Sequence, residues 1–520
     1  MKQMLYPVGL QSFEKIRRGG YVYVDKTDLV YQMVQSDAPY FLSRPRRFGK
    51  SLLISTLQAY FQGRRELFEG LAMDRLEQDW ASHPVLRLDF ANKNFARPQE
   101  LTDAIEGFLC REEDKYGHDS RLATFGDRFM NLIVRAEQQT GRRVVVLIDE
   151  YDKPLLDVMD TPQEALNRDV LRGFYGTLKS ADQHLRFVLL TGITKFAQIS
   201  IFSGLNNLCD ISMDCRYDTL CGITTEELYT IFAQPIREMA HVQKRSEEEI
   251  KAELRQHYDG YHFSSAMRDV YNPFSILCAM DSGRLNDYWF STASPTYLVR
   301  LMENFHQDIR QITQPYYPQS EFVDYRAAVQ RPLPMLYQSG YLTIKDYRPA
   351  TNTYRLDFPN DEVRRGFTTM LADNYLKPKV TMGAWMSDLV EALLAGDTAL
   401  LRNLMTSFLA GIPYRIRAKR SERAREQHFQ YTLYLILRML TSFTVVAEKE
   451  QSQGRVDCIV ETPQHVYIFE FKRDGTAADA LAQIHDRGYV REFAADRRQI
   501  HLIGCNFSSK TGTVDDWAEE

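Results

Sequence analysis

Ser43-Arg44-Pro45-Arg46-Arg47-Phe48-Gly49-Lys50-Ser51 lies between a short apolar stretch at residues 40–42 and the helical pattern Leu52, Leu53, Leu57, Tyr60, Phe61. A loop that leaves a strand, ends in Gly-Lys-Ser and opens a helix offers what a triphosphate needs. It bares successive backbone N–H groups, brings a lysine to the outer phosphates and supplies a hydroxyl for magnesium. The helix that starts there adds the positive end of its dipole. The first glycine of the usual phosphate-loop signature is missing, and Arg44 stands in its place.

Two further parts are needed, and the sequence offers both. Residues 144–148, Val-Val-Val-Leu-Ile, form an unbroken aliphatic run that suits a strand buried on both faces. Asp149 and Glu150 follow it. Asp149 is placed to hold magnesium through water, and Glu150 to orient or activate the attacking water. A polar group at the tip of another buried strand, residues 187–190, would sense the outermost phosphate; Thr191, Thr194 and Lys195 all qualify. Residues 85–90 read as a further strand and 101–110 as a helix, so strands alternate with helices up to about residue 215. That alternation predicts a parallel α/β sheet that binds ATP and Mg2+, with Ser51 and Asp149 on the metal.

The middle of the chain reads differently. Residues 247–257 make an amphipathic helix that Gly260 can stop. Residues 341–347 and 353–358 alternate as two strands joined through Pro349 and Asn352. With helical patterns on either side, this hairpin suggests a winged-helix-like unit, used for packing or for DNA.

A second α/β unit follows residue 411. The basic run Arg415, Arg417, Lys419, Arg420, Arg423, Arg425 precedes a helical pattern at 425–440, then strands at 445–448, 455–460 and 466–471, a helix at 477–487 and a strand at 499–504. Alternation along the third of these strands puts Glu470 and Lys472 on one face, with Phe469 and Phe471 on the other. If the two strands form a hairpin, Asp457 reaches the same face. Two carboxylates and a lysine inside an apolar strand pair suit metal-dependent phosphodiester cleavage, with Asp457 and Glu470 on Mg2+. The basic run would neutralise phosphates of DNA or RNA, or form a solvated linker.

Tyr23-Val24-Asp25-Lys26-Thr27, the loop from Arg44 to Leu52, and Ile148-Asp149-Glu150-Tyr151-Asp152-Lys153-Pro154 together resemble the bacterial AAA-ATPase-like family. So do Tyr258-Asp259-Gly260-Tyr261-His262-Phe263, Tyr271-Asn272-Pro273-Phe274 and Tyr288-Trp289. In that family an arginine-rich loop without the first glycine is the normal form. The resemblance implies that Arg44, Arg46, Arg47, Phe48, Gly49, Lys50, Ser51 and Leu52 form the nucleotide loop, with Asp149 beside it and Glu150 catalytic; Thr194 and Lys195 remain candidates, with Thr191, to complete the site. Arg46 and Arg47 either neutralise triphosphate charge, or one acts on a neighbouring subunit's nucleotide, or they pair with carboxylates such as Asp149 and Asp152 when the site is empty. The C-terminal pattern resembles the PD-(D/E)XK nuclease superfamily, which implies a restriction-endonuclease-like fold. It adds Glu426 as a supporting carboxylate, and Gln483 and Tyr489 as residues facing the site. Val456 stands where the superfamily often has proline.

The chain of 520 residues therefore divides into an ATPase domain at 1–215, a mostly helical region at 216–410 and a nuclease-like domain at 411–520. A composition of 44% hydrophobic and 26% charged residues suits a soluble protein, and a net charge of −5 excludes a generally basic nucleic-acid coat. No run approaches the roughly 18 apolar residues of a membrane span. No secretory leader is evident, so a reduced, cytoplasmic protein is expected, with an oligomer compatible. Cys209, Cys215 and Cys221 lack the spacing of a zinc site and read as buried free thiols. The function expected is an ATP-binding protein whose nucleotide state gates a nuclease acting on DNA or RNA. The alternative is a regulatory ATPase whose nuclease-like domain only binds nucleic acid or a protein.

Overall fold

A computed structural model describes residues 4–195, 208–290, 312–323, 332–375, 382–411, 443–451, 454–508, 510–511 and 513–520. The chain forms two compact units: Met1–Leu301 with Ile309–Val363, and Met302–Asp308 with Arg364–Glu520.

The first unit is built on five strands, β1 (Pro39–Ser43), β2 (Val85–Asp89), β3 (Val144–Asp149), β4 (Leu185–Gly192) and β5 (Cys209–Asp210), in the order β2-β3-β4-β1-β5. Each neighbouring pair is parallel. Every residue of β3 is buried, which explains why its sequence lacks a polar alternation: helices cover both faces of such a sheet. Parallel order brings the carboxyl ends of β1, β3 and β4 to one edge, where ligands of open α/β sheets bind. Gly49, at φ +87°, turns the chain from β1 into the helix Lys50–Phe61.

Beyond the sheet the unit is mainly helical. The helix Glu247–Tyr258 opens with a capping box of Ser246 and Glu249, which satisfies two orphan amides at once. The antiparallel hairpin of β9 (Thr343–Arg348) and β10 (Thr353–Asp357) gains a third strand, β8 (Tyr316–Pro318), in the order β8-β10-β9; β6 (Ile223–Thr224) and β7 (Val270–Tyr271) pair separately.

The second unit holds the strands β11 (Thr444–Gln451), β12 (Gly454–Glu461), β13 (His465–Arg473), β14 (Gln499–Phe507) and β15 (Val514–Glu519), in sequence order. β13 and β14 are parallel, joined across the helix Ala477–Asp486, and the other pairs are antiparallel. That helix packs Leu481 and Ile484 onto Ile459, Ile468 and Leu502. The opposite face, with Tyr467, Phe469 and Ile503, packs on Leu389, Leu401 and Phe408. The helices Met382–Ala395 and Thr398–Gly411, assigned from sequence to the middle region, thus share one core with the C-terminal sheet. The expected helix at 425–440 and the basic run before it lie outside the described residues. Among the described residues no helix is long and apolar enough to cross a membrane. Cys221 is buried, but Cys209 is only partly so and Cys215 is exposed, which corrects the reading of all three as buried.

Candidate functional sites

The first site is a cleft of about 450 Å³ lined by Arg46, Arg47, Gly49, Lys50, Ser51, Leu52, Glu150 and Lys153, with Pro273 and Phe274 opposite. Lys50 is buried, and its Nζ donates to the carbonyls of Arg44 at 2.8 Å and Pro45 at 3.0 Å. Burial lowers its pKa, an effect opposed by the charges of Glu150, Asp149 and Asp152. Glu150 sits at φ +50°, in the left-handed region, and burial raises its carboxyl against the pull of Lys50. A non-glycine residue held there stores strain of about 1–3 kcal/mol and aims its side chain from the end of β3.

Asp149 is fully buried at the tip of β3. Its Oδ1 accepts from the Thr191 hydroxyl at 2.7 Å and from the Glu150 amide at 3.1 Å. Its Oδ2 is buried without a hydrogen-bond partner in the protein. An orphaned carboxylate oxygen beside a phosphate-type loop fits a hard cation such as Mg2+. β4 lies between β1 and β3, so Thr191 is the polar group that joins the loop-bearing strand to Asp149.

Four expected ligands have other work. Arg44 lies with its guanidinium 4.1 Å from the Phe263 ring centre and donates to the carbonyls of Ser43, Ser212 and Tyr217. At 1% exposure it braces the loop from behind, a role that fills the missing glycine's place with a structural cation. Phe48 packs edge-on against Tyr261 and Phe263 and lines an adjoining apolar recess of about 100 Å³, with Tyr23, Val24, Cys221 and Gly222. Thr194 gives its amide and hydroxyl to Asp152 at 2.6 and 2.7 Å. Lys195 pairs with Asp210. Neither Thr194 nor Lys195 lines the cleft. Asp152 is thereby committed to the turn after β4, and Arg47 stacks its guanidinium 4.7 Å from the Phe274 ring centre. Lys153 and Phe274 were not singled out from sequence; both lie in quoted family motifs, which was the available signal.

The second site is on the face of β12 and β13 that carries the helix Ala477–Asp486. Asp457 Oδ2 accepts from the Phe471 amide at 2.8 Å, which pins its carboxylate across the hairpin. Gln483, on the helix, donates to Glu470 Oε1 and accepts from Lys472 Nζ. Lys472 Nζ also stands 3.8 Å from Glu470 Oε1. Tyr489 is buried and hydrogen-bonds Gln483. Burial, then the neighbouring Asp457 charge, pushes the Glu470 carboxyl well above the usual carboxylate range. Its Oε2 is buried without a protein partner, so this donor set also fits a divalent cation. Among the described residues no group of three His, Cys, Asp or Glu side chains is poised to hold a metal. Glu426, the expected third carboxylate, lies outside those residues.

The family described as "Predicted AAA-ATPase" matches residues 7–202, and the "PD-(D/E)XK nuclease superfamily" matches residues 424–517. A protein of Azotobacter chroococcum mcd 1, described as "Uncharacterized protein in vnfD 5'region", is 36% identical over 522 residues, covering 99% of this chain and 98% of its own. The chain belongs to this family of predicted AAA-ATPases with a C-terminal PD-(D/E)XK nuclease superfamily domain. Among solved structures, Aeropyrum pernix ORC1 in complex with DNA aligns at 10% identity with 68% of this chain and 93% of its own, at a TM-score of 0.25, a likeness too slight to argue from.

Proposed function

We propose that the first unit binds ATP with Mg2+, that the second is a Mg2+-dependent nuclease acting on DNA or RNA, and that nucleotide state controls the cut. The observation that carries this reading is a repeated one. Each unit buries a carboxylate oxygen with no protein partner, Asp149 Oδ2 in one and Glu470 Oε2 in the other, close to a lysine.

In the first unit Lys50 leaves the carbonyls of Arg44 and Pro45 for the outer phosphates, and Arg46 and Arg47 neutralise the charge around them. Ser51 and Asp149 hold the metal. Glu150 orients the attacking water and accepts its proton; burial raises its carboxyl, which makes it a stronger base than an exposed glutamate. The apolar recess beside Phe48 takes the base. In the second unit Asp457 and Glu470 hold the metal, with Glu426 as the third carboxylate. Lys472, held by Gln483, stabilises charge on the scissile phosphate or activates water. When bound, Mg2+ lowers the pKa of its water and offsets phosphate charge. The protein is read as cytoplasmic.

The test is to incubate the full chain with plasmid DNA and with structured RNA, in Mg2+ or Mn2+, with and without ATP, beside Lys50→Ala and Lys472→Ala. Cutting that needs Lys472 and changes with ATP in a Lys50-dependent way supports the proposal and identifies the polymer. If ATP binds but neither polymer is cut under any condition, the protein is a regulatory ATPase and its nuclease-like domain a binding module.

A further inference from the structure

Trp289 lines neither site, yet it is 1% exposed and its polar atoms reach in two directions. Its indole Nε1 donates to the carbonyl of Arg46, inside the phosphate loop, at 3.1 Å. Its backbone amide donates to Glu362 Oε1 at 2.6 Å. The other oxygen of Glu362 accepts from the Ser275 hydroxyl at 2.8 Å, on the helix Pro273–Ser282 whose first two residues line the cleft. The indole rests edge-on against Tyr341, with ring centres 5.2 Å apart. Glu362 is the second residue of the helix Asp361–Tyr375; the helix belongs to the first unit through Val363 and to the second from Arg364.

We propose that Trp289 and Glu362 are positioning residues that couple the conformation of the phosphate loop to the start of the helix Asp361–Tyr375. The inference rests on the nucleotide reading of the first site. For Lys50 to bind phosphate it must release the carbonyls of Arg44 and Pro45, so the loop that carries the Arg46 carbonyl has to rearrange. A closely packed indole has little freedom to absorb that shift, because a buried ring surrounded at interior density moves with its neighbours. Its hydrogen bonds are costly to leave unmade at a buried position. The displacement therefore passes to Glu362, at the start of the helix. Burial raises that carboxyl to about 8, which favours its uncharged form.

The full chain is examined by amide hydrogen exchange with and without ATP and Mg2+, beside nucleotide titrations. In the wild type, ATP is expected to change exchange of residues 364–375 by about threefold or more. Trp289→Phe keeps the ring and loses the indole N–H. It should still bind ATP, while the helix no longer responds. Glu362→Gln keeps an acceptor for the Trp289 amide and should retain the response, whereas Glu362→Ala should lose it. Loss of the response in all three variants would reduce the pair to a packing role. A wild-type helix unmoved by bound ATP, or a Trp289→Phe protein that responds like the wild type, overturns the coupling. If Lys50→Ala binds ATP as well as the wild type does, the nucleotide-site assignment is what fails, and the coupling falls with it.

Discussion

Lys50 is satisfied by its own loop: the two carbonyls it caps stand in for the phosphates it is proposed to meet. Binding therefore exchanges neutral acceptors for charged ones, and charge-assisted hydrogen bonds are the stronger kind. Lys50→Ala is expected to weaken ATP binding about 10- to 100-fold, the equivalent of one or two such bonds, read by isothermal titration. Glu362 supports a prediction about pH. Its acid is raised from 4.5 to about 8, so between these values the folded protein holds a proton that the unfolded chain has released. The stability this group contributes is full below about 4.5 and is lost as pH rises through 8, the reverse of a salt-bridged carboxylate. The slope is at most about 1.4 kcal/mol per pH unit. Glu362→Gln should flatten that part of the profile, measured as urea midpoints between pH 5 and 8; an unchanged slope would refute the assignment.

At the scale of elements, strand periodicity carried most of the information. The alternation of β13 puts Phe469 and Phe471 with the aromatic core, and Glu470 and Lys472 toward the helix Ala477–Asp486. β15 gave no such signal, because Val-Asp-Asp-Trp-Ala-Glu does not alternate apolar with polar residues; among the described residues it pairs on one side, with β14. The helix that brings Gln483 to the site crosses β14 at Gly504, where a Cβ would stand 2.2 Å from the Ala477 carbonyl oxygen and 3.0 Å from the Leu481 nitrogen. Those are rigid backbone atoms, so Gly504→Ala must lift the helix. We expect a cost of about 1–3 kcal/mol from overpacking, seen as a lower unfolding midpoint. The nuclease activity proposed for this unit should also fall below that of the wild type, since Gln483 would no longer bridge Glu470 and Lys472. Unchanged stability would show that the helix is not in contact there.

For the whole molecule, two compact units imply two unfolding transitions, and the proposed nucleotide belongs to the first alone. ATP at 100 times its dissociation constant should stabilise the first unit by about 2.7 kcal/mol and raise only its transition in calorimetry. A shift confined to the other transition would place the nucleotide in the wrong unit. The helices at 382–411 show why the division was hard to read. Their sequence marks them as amphipathic, but nothing in an apolar stripe names the surface that will cover it. Here the C-terminal sheet covers it, so these helices join the strands that follow and not the middle that precedes them.

The placement of the candidate residues was legible wherever it depends on local order. Gly49-Lys50-Ser51 after a strand, an aliphatic run closing on Asp149-Glu150, and a two-residue spacing of Glu470 and Lys472 each follow from chain geometry over a few residues. Which polar group serves a site depends on strand order and on competing partners, and these are set by contacts far apart in sequence. Thr191 meets Asp149 because β4 lies between β1 and β3, while Asp152 claims Thr194 and Asp210 claims Lys195. Arg44 turns inward because Phe263 and three carbonyls, two of them from residues 212 and 217, offer a buried cation what a short loop cannot. Local sequence fixes a residue's backbone state and chemical capacity; burial and the partners brought by folding fix whether that capacity faces a ligand or is spent on the fold.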